Sequence, residues 1–176
     1  HTQGYNPRPS VSIALPLSVG VESVCELLDF DLEGEGVPCD EITSRLNAVL
    51  VPGIQVLQTY ENGAKLKELS FLQCEIILEY DTGVPEGAEE CIIALFRREN
   101  LIVDKKGKNG IVQQDIIPMI RRVDLSQLDE HTLVLSALIC CQNPSLNPMQ
   151  LVAAIEHYLP QHAPNFTKCR RMEIYN

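Results

Sequence analysis

Apolar and polar residues alternate in short stretches along the first third of the chain. The stretch "SVSIALPL" alternates as a half-buried strand does and ends at Pro16, and "VCELLDFDLE" predicts a second strand after a turn at "SVGVES". Apolar residues at helical spacing (Ile42, Leu46 and Val49) predict a helix in "PCDEITSRLNAVL", and "PGIQVLQTYE" predicts a third strand. The order of this part is therefore strand, strand, helix, strand.

The rest of the chain predicts a longer series of elements. After a short helical "GAKLKEL", a long strand is expected in "SFLQCEIILEYD" and a helix in "VPEGAEECIIALFRREN". A β-hairpin is typical of "LIVDKKGKNGIVQQDI", with its turn in "KKGKNG". A strand in "HTLVLSALIC", an amphipathic helix in "NPMQLVAAIEHYL" and a last strand in "KCRRMEIYN" follow. Strand, helix, strand, repeated once, is the ferredoxin-like arrangement.

These patterns predict an α+β protein of two ferredoxin-like halves with antiparallel sheets, residues 1–69 and 70–176. The first half begins at the third element of a six-element unit, so it lacks the opening strand and helix. An incomplete sheet of this kind leaves an open edge and an uncovered apolar face. We therefore expect the natural protein to have a further βα unit of roughly 30 residues, unless a partner or a domain swap supplies the missing strand.

Charge is distributed unevenly along the chain. The formal net charge of −10 argues against a protein that simply coats nucleic acid. Up to residue 96, 4 basic and 16 acidic side chains give −12, whereas 10 basic and 8 acidic side chains give +2 in the remainder. An acidic chain can still present a local basic surface, so phosphate contacts are predicted in the second half. The candidates are Lys105, Lys106, Lys108, Arg121, Arg122, Arg170 and Arg171.

Several classes of protein are excluded by the sequence. No apolar run reaches the ~18 residues of a membrane-spanning helix, and no secretory leader is present, so we expect a cytoplasmic protein. The seven cysteines contain no Cys-x-x-Cys pair and no zinc-ligand spacing, which favours buried, reduced thiols and predicts neither a metal nor a cofactor. No nucleophile and base stand in a recognisable arrangement, so catalytic residues stay unassigned.

The opening "HTQGYNPRPS" is the most distinctive stretch. Gly4 permits a positive φ, and two prolines stiffen the backbone around Asn6 and Arg8. With Tyr5, this loop offers an aromatic face, an amide and a guanidinium, which suit a planar, anionic or nucleotide-like ligand. The alternative is a proline-rich entry loop with ordinary turn chemistry. The ligand-binding candidates here and in the next turn are Gly4, Tyr5, Asn6, Arg8, Ser12, Ser18, Gly20 and Ser23.

Residues 2–33, which we call the signature segment, resemble the signature segment of a radical-SAM-associated bacterial family of unknown function. That family's pattern is Ser/Thr-Gln-Gly-Phe-Asn-Pro-His/Arg-Pro, then Ser, then Pro-Leu-x-Val-Gly-x-x-Ser, and Tyr5 replaces its Phe. The later Lys/Gly hairpin with Asp115 and the closing "KCRRMEIY" are also similar, so the resemblance covers essentially the whole chain. Family members typically carry an additional N-terminal stretch with a Leu-Ser-His-Leu-Asp-like motif, which this sequence does not contain.

The resemblance implies a domain fused to, or encoded beside, a radical SAM protein and, more loosely, a role in RNA metabolism. Radical SAM chemistry needs three closely spaced cysteines for its iron–sulfur cluster, and this sequence lacks them, so the chain is not the radical SAM catalyst. Our leading hypothesis is a non-catalytic accessory domain that presents RNA to a radical SAM partner. The alternatives are an enzyme acting on RNA or a nucleotide, and a scaffold whose acidic first half binds a protein.

Overall fold

The structure, a computed structural model, describes residues 10–32, 36–63, 65–107 and 110–176. The strands are β1 (Val11–Ile13), β2 (Val21–Ser23), β3 (Leu28–Phe30), β4 (Phe71–Glu79), β5 (Ile102–Gly107), β6 (Gly110–Asp115), β7 (Ile120–Asp129), β8 (Thr132–Cys140) and β9 (Phe166–Tyr175). The α-helices are α1 (Cys39–Val49), α2 (Ala88–Phe96) and α3 (Met149–Tyr158), and short 3₁₀ helices lie at Leu66–Glu68, Ile117–Met119 and Pro160–His162. No helix in these ranges is long and apolar enough to cross a membrane.

The second half of the chain forms a ferredoxin-like unit. Its elements follow the order β4, α2, β7, β8, α3, β9, and its strands lie side by side in the order β9-β4-β8-β7, each antiparallel to its neighbour. The predicted α+β class is confirmed. The predicted hairpin, β5 with β6, forms a separate two-stranded sheet inserted between α2 and β7. The strand that the unit needs after α2 is β7, for which the sequence pattern gives no prediction.

The hydrophobic core lies between this sheet and helices α2 and α3. Alternate residues of β4 and β8 are buried, as the alternation of apolar and polar residues in "SFLQCEIILEYD" and "HTLVLSALIC" predicts. Ile76, Leu135 and Ile155 have no exposed surface, and each contributes about 1.5–3 kcal/mol by its burial. Among the described residues, every buried side chain belongs to Leu69 or a later position.

The described residues among 10–68 contribute no fully buried side chain to this core, and only partly buried residues such as Leu15, Val21 and Leu27 pack against it. β1 and β3 pair antiparallel, while β2 pairs parallel with β9 and so joins the large sheet as its edge strand. The third strand predicted in "PGIQVLQTYE" is wrong, because residues 51–60 form no strand. The Asn47 side chain of α1 instead donates to the Val56 carbonyl (2.9 Å) and accepts from the Val56 N–H (2.8 Å), so it takes the place of a partner strand. The domain boundary at residues 69 and 70 stays a prediction.

Candidate functional site

The face of the large sheet opposite α2 and α3 is the candidate site, and we call it the open face. It consists of the alternate strand positions that are exposed or half-buried, between the buried positions that contact the helices. Its side chains are those of Glu22 on β2, Phe166, Lys168, Arg170, Glu173 and Tyr175 on β9, Phe71, Gln73, Glu75, Ile77 and Glu79 on β4, Thr132, Val134, Ser136 and Leu138 on β8, and Arg122, Asp124, Ser126 and Asp129 on β7.

The cations of the open face are held by carboxylates from neighbouring strand positions. Lys168 Nζ lies 2.9 Å from Glu79 Oε1. Arg122 Nε lies 3.0 Å from Asp124 Oδ2. Arg170 also pairs with Glu22, across the β2–β9 edge. All these side chains are more than a third exposed, so each pair contributes about 0.2–1 kcal/mol, and an anionic ligand can exchange with the carboxylate.

Aromatic side chains lie at both ends of the open face. Phe71 and Tyr175 are directly opposite each other where β4 begins and β9 ends, and we call this the Phe71 end. The guanidinium carbon of Arg121 lies 5.2 Å from the centroid of the Phe71 ring, within the range of a cation–π contact. At the other end, Lys168 Nζ lies 5.7 Å from the centroid of the Phe166 ring. Each end therefore combines an aromatic ring with a cation.

The structure separates the predicted phosphate contacts into groups. Arg121 and Arg122 lie at the Phe71 end, and Arg170 lies on β9 near the β2 edge. Lys105 on the β5–β6 hairpin donates to the Ser145 carbonyl (3.4 Å), in the loop that follows β8. Lys106 is placed on β5 by its backbone only, and Lys108 lies outside the described residues.

Arg171 occupies a different position from the other predicted phosphate contacts. It is 8% exposed and lies on the core side of β9. Its Nη1 donates to the Leu15 carbonyl (2.7 Å) and its Nη2 to the Pro16 carbonyl (3.0 Å), and Nη1 lies 3.2 Å from Glu26 Oε1. A phosphate would have to displace all three groups. The guanidinium is therefore placed to hold the signature segment against the sheet.

Residues 10–23 of the signature segment form a strand, a turn and a second strand. Ser12 lies on β1 opposite Asp29 and is exposed. Ser18 and Gly20 share a turn in which the Val21 N–H donates to the Ser18 carbonyl (3.1 Å), and Gly20 has the positive φ of 84° that this turn requires. Ser23 lies on β2, at the register position of Arg171.

The remaining ligand candidates, Gly4, Tyr5, Asn6 and Arg8, lie outside the described residues. Their relation to Ser12, Ser18, Gly20 and Ser23 stays a prediction.

The cysteines near these elements have shifted pKa values. Burial raises the pKa of Cys25, the thiol next to β2, so Cys25 is protonated at neutral pH. In the core, a hydrogen bond between the Cys74 and Cys169 thiols raises the pKa of Cys74, as burial also does, and lowers the pKa of Cys169, which is 3% exposed. Within the described ranges, no group of three or more His, Cys, Asp or Glu side chains could hold a metal ion. The groups that the open face offers to a ligand are aromatic rings, guanidinium groups, an amide and exchangeable ion pairs.

Comparison with known protein families assigns the chain to a bacterial family. The sequence model of a family described as "Uncharacterized protein conserved in bacteria (DUF2344)" matches residues 1–148. The chain belongs to this family. No curated protein and no solved structure matches it. The predicted resemblance is thereby confirmed as membership of an uncharacterised bacterial family, while the association with radical SAM proteins stays a prediction.

The open face was not predicted as a site from the sequence. Aromatic residues make up only 5% of the chain, which weighs against base stacking when composition alone is considered. A stronger signal was present in "SFLQCEIILEYD", where Phe71 and Gln73 alternate with the apolar Leu72 and the core cysteine Cys74. Strand periodicity puts Phe71 on the face opposite the core.

Proposed function

We propose that this chain is an accessory domain that binds RNA on the open face of its sheet and presents it to a radical SAM partner. The observation that carries this proposal is the presence of aromatic rings and cations on one exposed face of a ferredoxin-like sheet. Sheets of this kind bind single-stranded RNA by stacking bases on aromatic side chains while cations contact the phosphates. The open face offers Phe71, Tyr175 and Phe166 for stacking, with Arg122, Lys168 and Arg170 nearby for the phosphates.

The radical SAM partner rests on the signature segment. Its resemblance to a radical-SAM-associated family supports a partner of that class. In this proposal the partner supplies the iron–sulfur cluster, which is consistent with the lack of a three-cysteine motif in this sequence. The buried Arg171 connects the two functions, because it joins the signature segment to β9, a strand of the open face.

The electrostatics of the open face predict moderate, salt-dependent binding. The chain is acidic overall, and three of the cations are already paired with carboxylates, so RNA must compete with them. Each phosphate contact to a single strand contributes about −0.7 to the slope of log K against log salt, so three contacts predict a slope of about −2.

Fluorescence anisotropy with a labelled single-stranded RNA of about twelve nucleotides tests the proposal. Arg122→Gln and Arg170→Gln should each weaken binding and make the salt slope shallower by about 0.7. Arg97→Gln is the matched control, because Arg97 ends α2 on the other side of the sheet and the change in charge is identical. Equal effects of all three substitutions would mean that only net charge matters, and absence of RNA binding by the wild-type chain would end the proposal.

A protein-interaction scaffold is the second candidate, favoured by apolar exposure in the first part of the chain. Val19 is fully exposed, and Val49 and Leu57 are 78% and 75% exposed. Affinity capture of the full protein from its own cells, with and without RNase, separates the candidates. A radical SAM protein that is recovered only without RNase supports RNA presentation, whereas one recovered in both conditions supports direct contact and a scaffold.

A further inference from the structure

The Phe71 end is shaped by two irregularities in strand pairing. Between Ile120 and Arg122 the β7–β8 register shifts by one residue, which leaves Arg121 as an extra residue in β7. The β4–β9 register shifts between Gln73 and Cys74, where Met172 is the extra residue. Two of the three register shifts in the large sheet therefore lie at this end. Bulges redirect side chains and are over-represented beside functional sites.

The first bulge explains how Arg121 reaches Phe71. The two residues belong to strands separated by β8, yet the guanidinium carbon lies 5.2 Å from the ring centroid. The residue of β8 opposite Phe71 is Cys140, which is 6% exposed, so no large side chain from β8 lies between them on the open face. The result is a half-buried aromatic ring beneath an exposed, planar cation.

A polar pair lies beside this ring. The Tyr175 hydroxyl donates to Gln73 Oε1 at 3.2 Å, which orients the Gln73 amide. Among the described residues, no group accepts a hydrogen bond from the Gln73 amide, whose register partner is Glu173. The two N–H groups of Gln73 and the lone pairs of the Tyr175 hydroxyl can therefore bind a ligand. A ligand that fits here is flat and apolar on its faces and has hydrogen-bonding groups on its edge.

We propose that the Phe71 end binds one unpaired nucleobase of a single-stranded RNA, stacked between Phe71 and Arg121 and contacted on its edge by Gln73 and Tyr175. This inference rests on the proposed function and narrows its substrate to unpaired RNA. Stacked groups lie about 3.5 Å apart, so a base between ring and guanidinium needs about 7 Å, and Arg121 must move outward by about 2 Å. Arg121 is exposed and can make this movement. Double-stranded RNA does not fit this site, because the faces of its bases are covered by neighbouring bases and cannot stack on Phe71.

The test compares two RNAs and three variants of the full chain by fluorescence anisotropy. One RNA is a single strand with all its bases, and the other has the same length but abasic central positions. Phe71→Leu keeps an apolar side chain and removes the ring, and it should weaken binding of the intact RNA by about 5- to 150-fold. Arg121→Gln should also weaken it. Phe30→Leu, on β3 and outside the large sheet, is the matched control and should change affinity less than either.

The abasic RNA should bind the wild-type chain and Phe71→Leu equally. Because Phe71 is half-buried, circular dichroism must show that Phe71→Leu is folded. Arg121 is exposed, so Arg121→Gln tests the same nucleobase site with little effect on folding. If wild-type protein binds RNA and neither variant weakens it, the nucleobase site is wrong and the proposed function stands. If Phe30→Leu weakens binding as much as Phe71→Leu, a localised site is wrong. If wild-type protein binds no RNA, the proposed function fails, and the inference fails with it.

Discussion

Replacing Arg171 with methionine is expected to detach the signature segment from the sheet while the ferredoxin-like unit stays folded. Methionine keeps an unbranched apolar stem in the partly apolar position and removes the guanidinium. The lost interactions are the hydrogen bonds to the Leu15 and Pro16 carbonyls and the ion pair with Glu26. Every buried side chain among the described residues lies at or beyond Leu69, so the core itself loses little.

The size of the effect follows from these contacts. A hydrogen bond from a charged donor contributes about 1.5–3 kcal/mol, so the two carbonyl contacts together contribute about 3–6 kcal/mol. The ion pair adds no more than about 1 kcal/mol, because the Glu26 side chain is 34% exposed and its charge is screened. At the lower limit, a loss of about 3 kcal/mol raises the population of the detached state more than a hundredfold.

Hydrogen exchange measures this change residue by residue. The Val24 N–H donates to the Arg171 carbonyl (3.1 Å), so its exchange reports attachment of the segment. In Arg171→Met it should exchange about a hundredfold faster, or at the unprotected rate if that is reached first, while the Ile76 amide in β4 keeps its protection. Arg170→Met is the matched control, since Arg170 is the neighbouring arginine on the exposed face and its ion pair is weak.

Two results would refute this reasoning. Unchanged exchange of Val24 in Arg171→Met would mean that the guanidinium does not hold the segment. Equal loss of protection at Val24 and Ile76 would mean that the segment and the core unfold together.

Three further outcomes are expected. Gly20→Ala should lower the free energy of unfolding by about 1 kcal/mol in a denaturant titration, because φ at Gly20 is 84° and no atom lies near the added Cβ. Gly20→Asn should lower the free energy of unfolding by less, because Asn tolerates a positive φ better than Ala. Equal losses for the two variants would contradict this explanation. Leu135→Ala should cost about 2–5 kcal/mol by the same assay, whereas Ser136→Ala on the open face should cost under about 0.5 kcal/mol. Cys25 should react with iodoacetamide more slowly at pH 8 than it does in urea, since burial raises its pKa; equal rates would contradict this.

The strands that could be predicted are those with one buried face. In β4 and β8, apolar and polar residues alternate strictly because one face contacts helices and the other does not. β7 lacks this pattern because it is an edge strand, and most of its side chains are exposed. Its pairing depends on β8, which no pattern within "IRRVDLSQLD" reveals.

The false strand in "PGIQVLQTYE" has a related cause. β-propensity describes how a segment would fit beside a partner strand, and residues 51–60 have none. The side-chain amide of Asn47, nine positions before Val56, satisfies the backbone of Val56 instead. A contact made by one side chain across a loop leaves no periodic signal in the sequence.

The positions of the two arginines in "KCRRMEIY" could be predicted from the sequence only in part. Both were predicted as phosphate contacts because they are basic. Strand periodicity puts Arg171 on the same face as the buried Cys169 and leaves Arg170 on the other face, so this separation could have been inferred. The hydrogen bonds from Arg171 to the Leu15 and Pro16 carbonyls could not have been inferred from the sequence, because they depend on the pairing of β2 with β9.

The attachment of the signature segment by Arg171 also determines when that segment can reach its native position during synthesis. Leu15 and Arg171 are 156 positions apart, so the signature segment leaves the ribosome long before Arg171 is synthesised. Chains emerge at about 5–20 residues per second, which leaves the segment unattached for roughly 8–30 s. During that interval its exposed apolar residues have no sheet edge to join. The part of the chain made first therefore docks last, and a nascent chain stalled before β9 is complete would display the signature segment undocked.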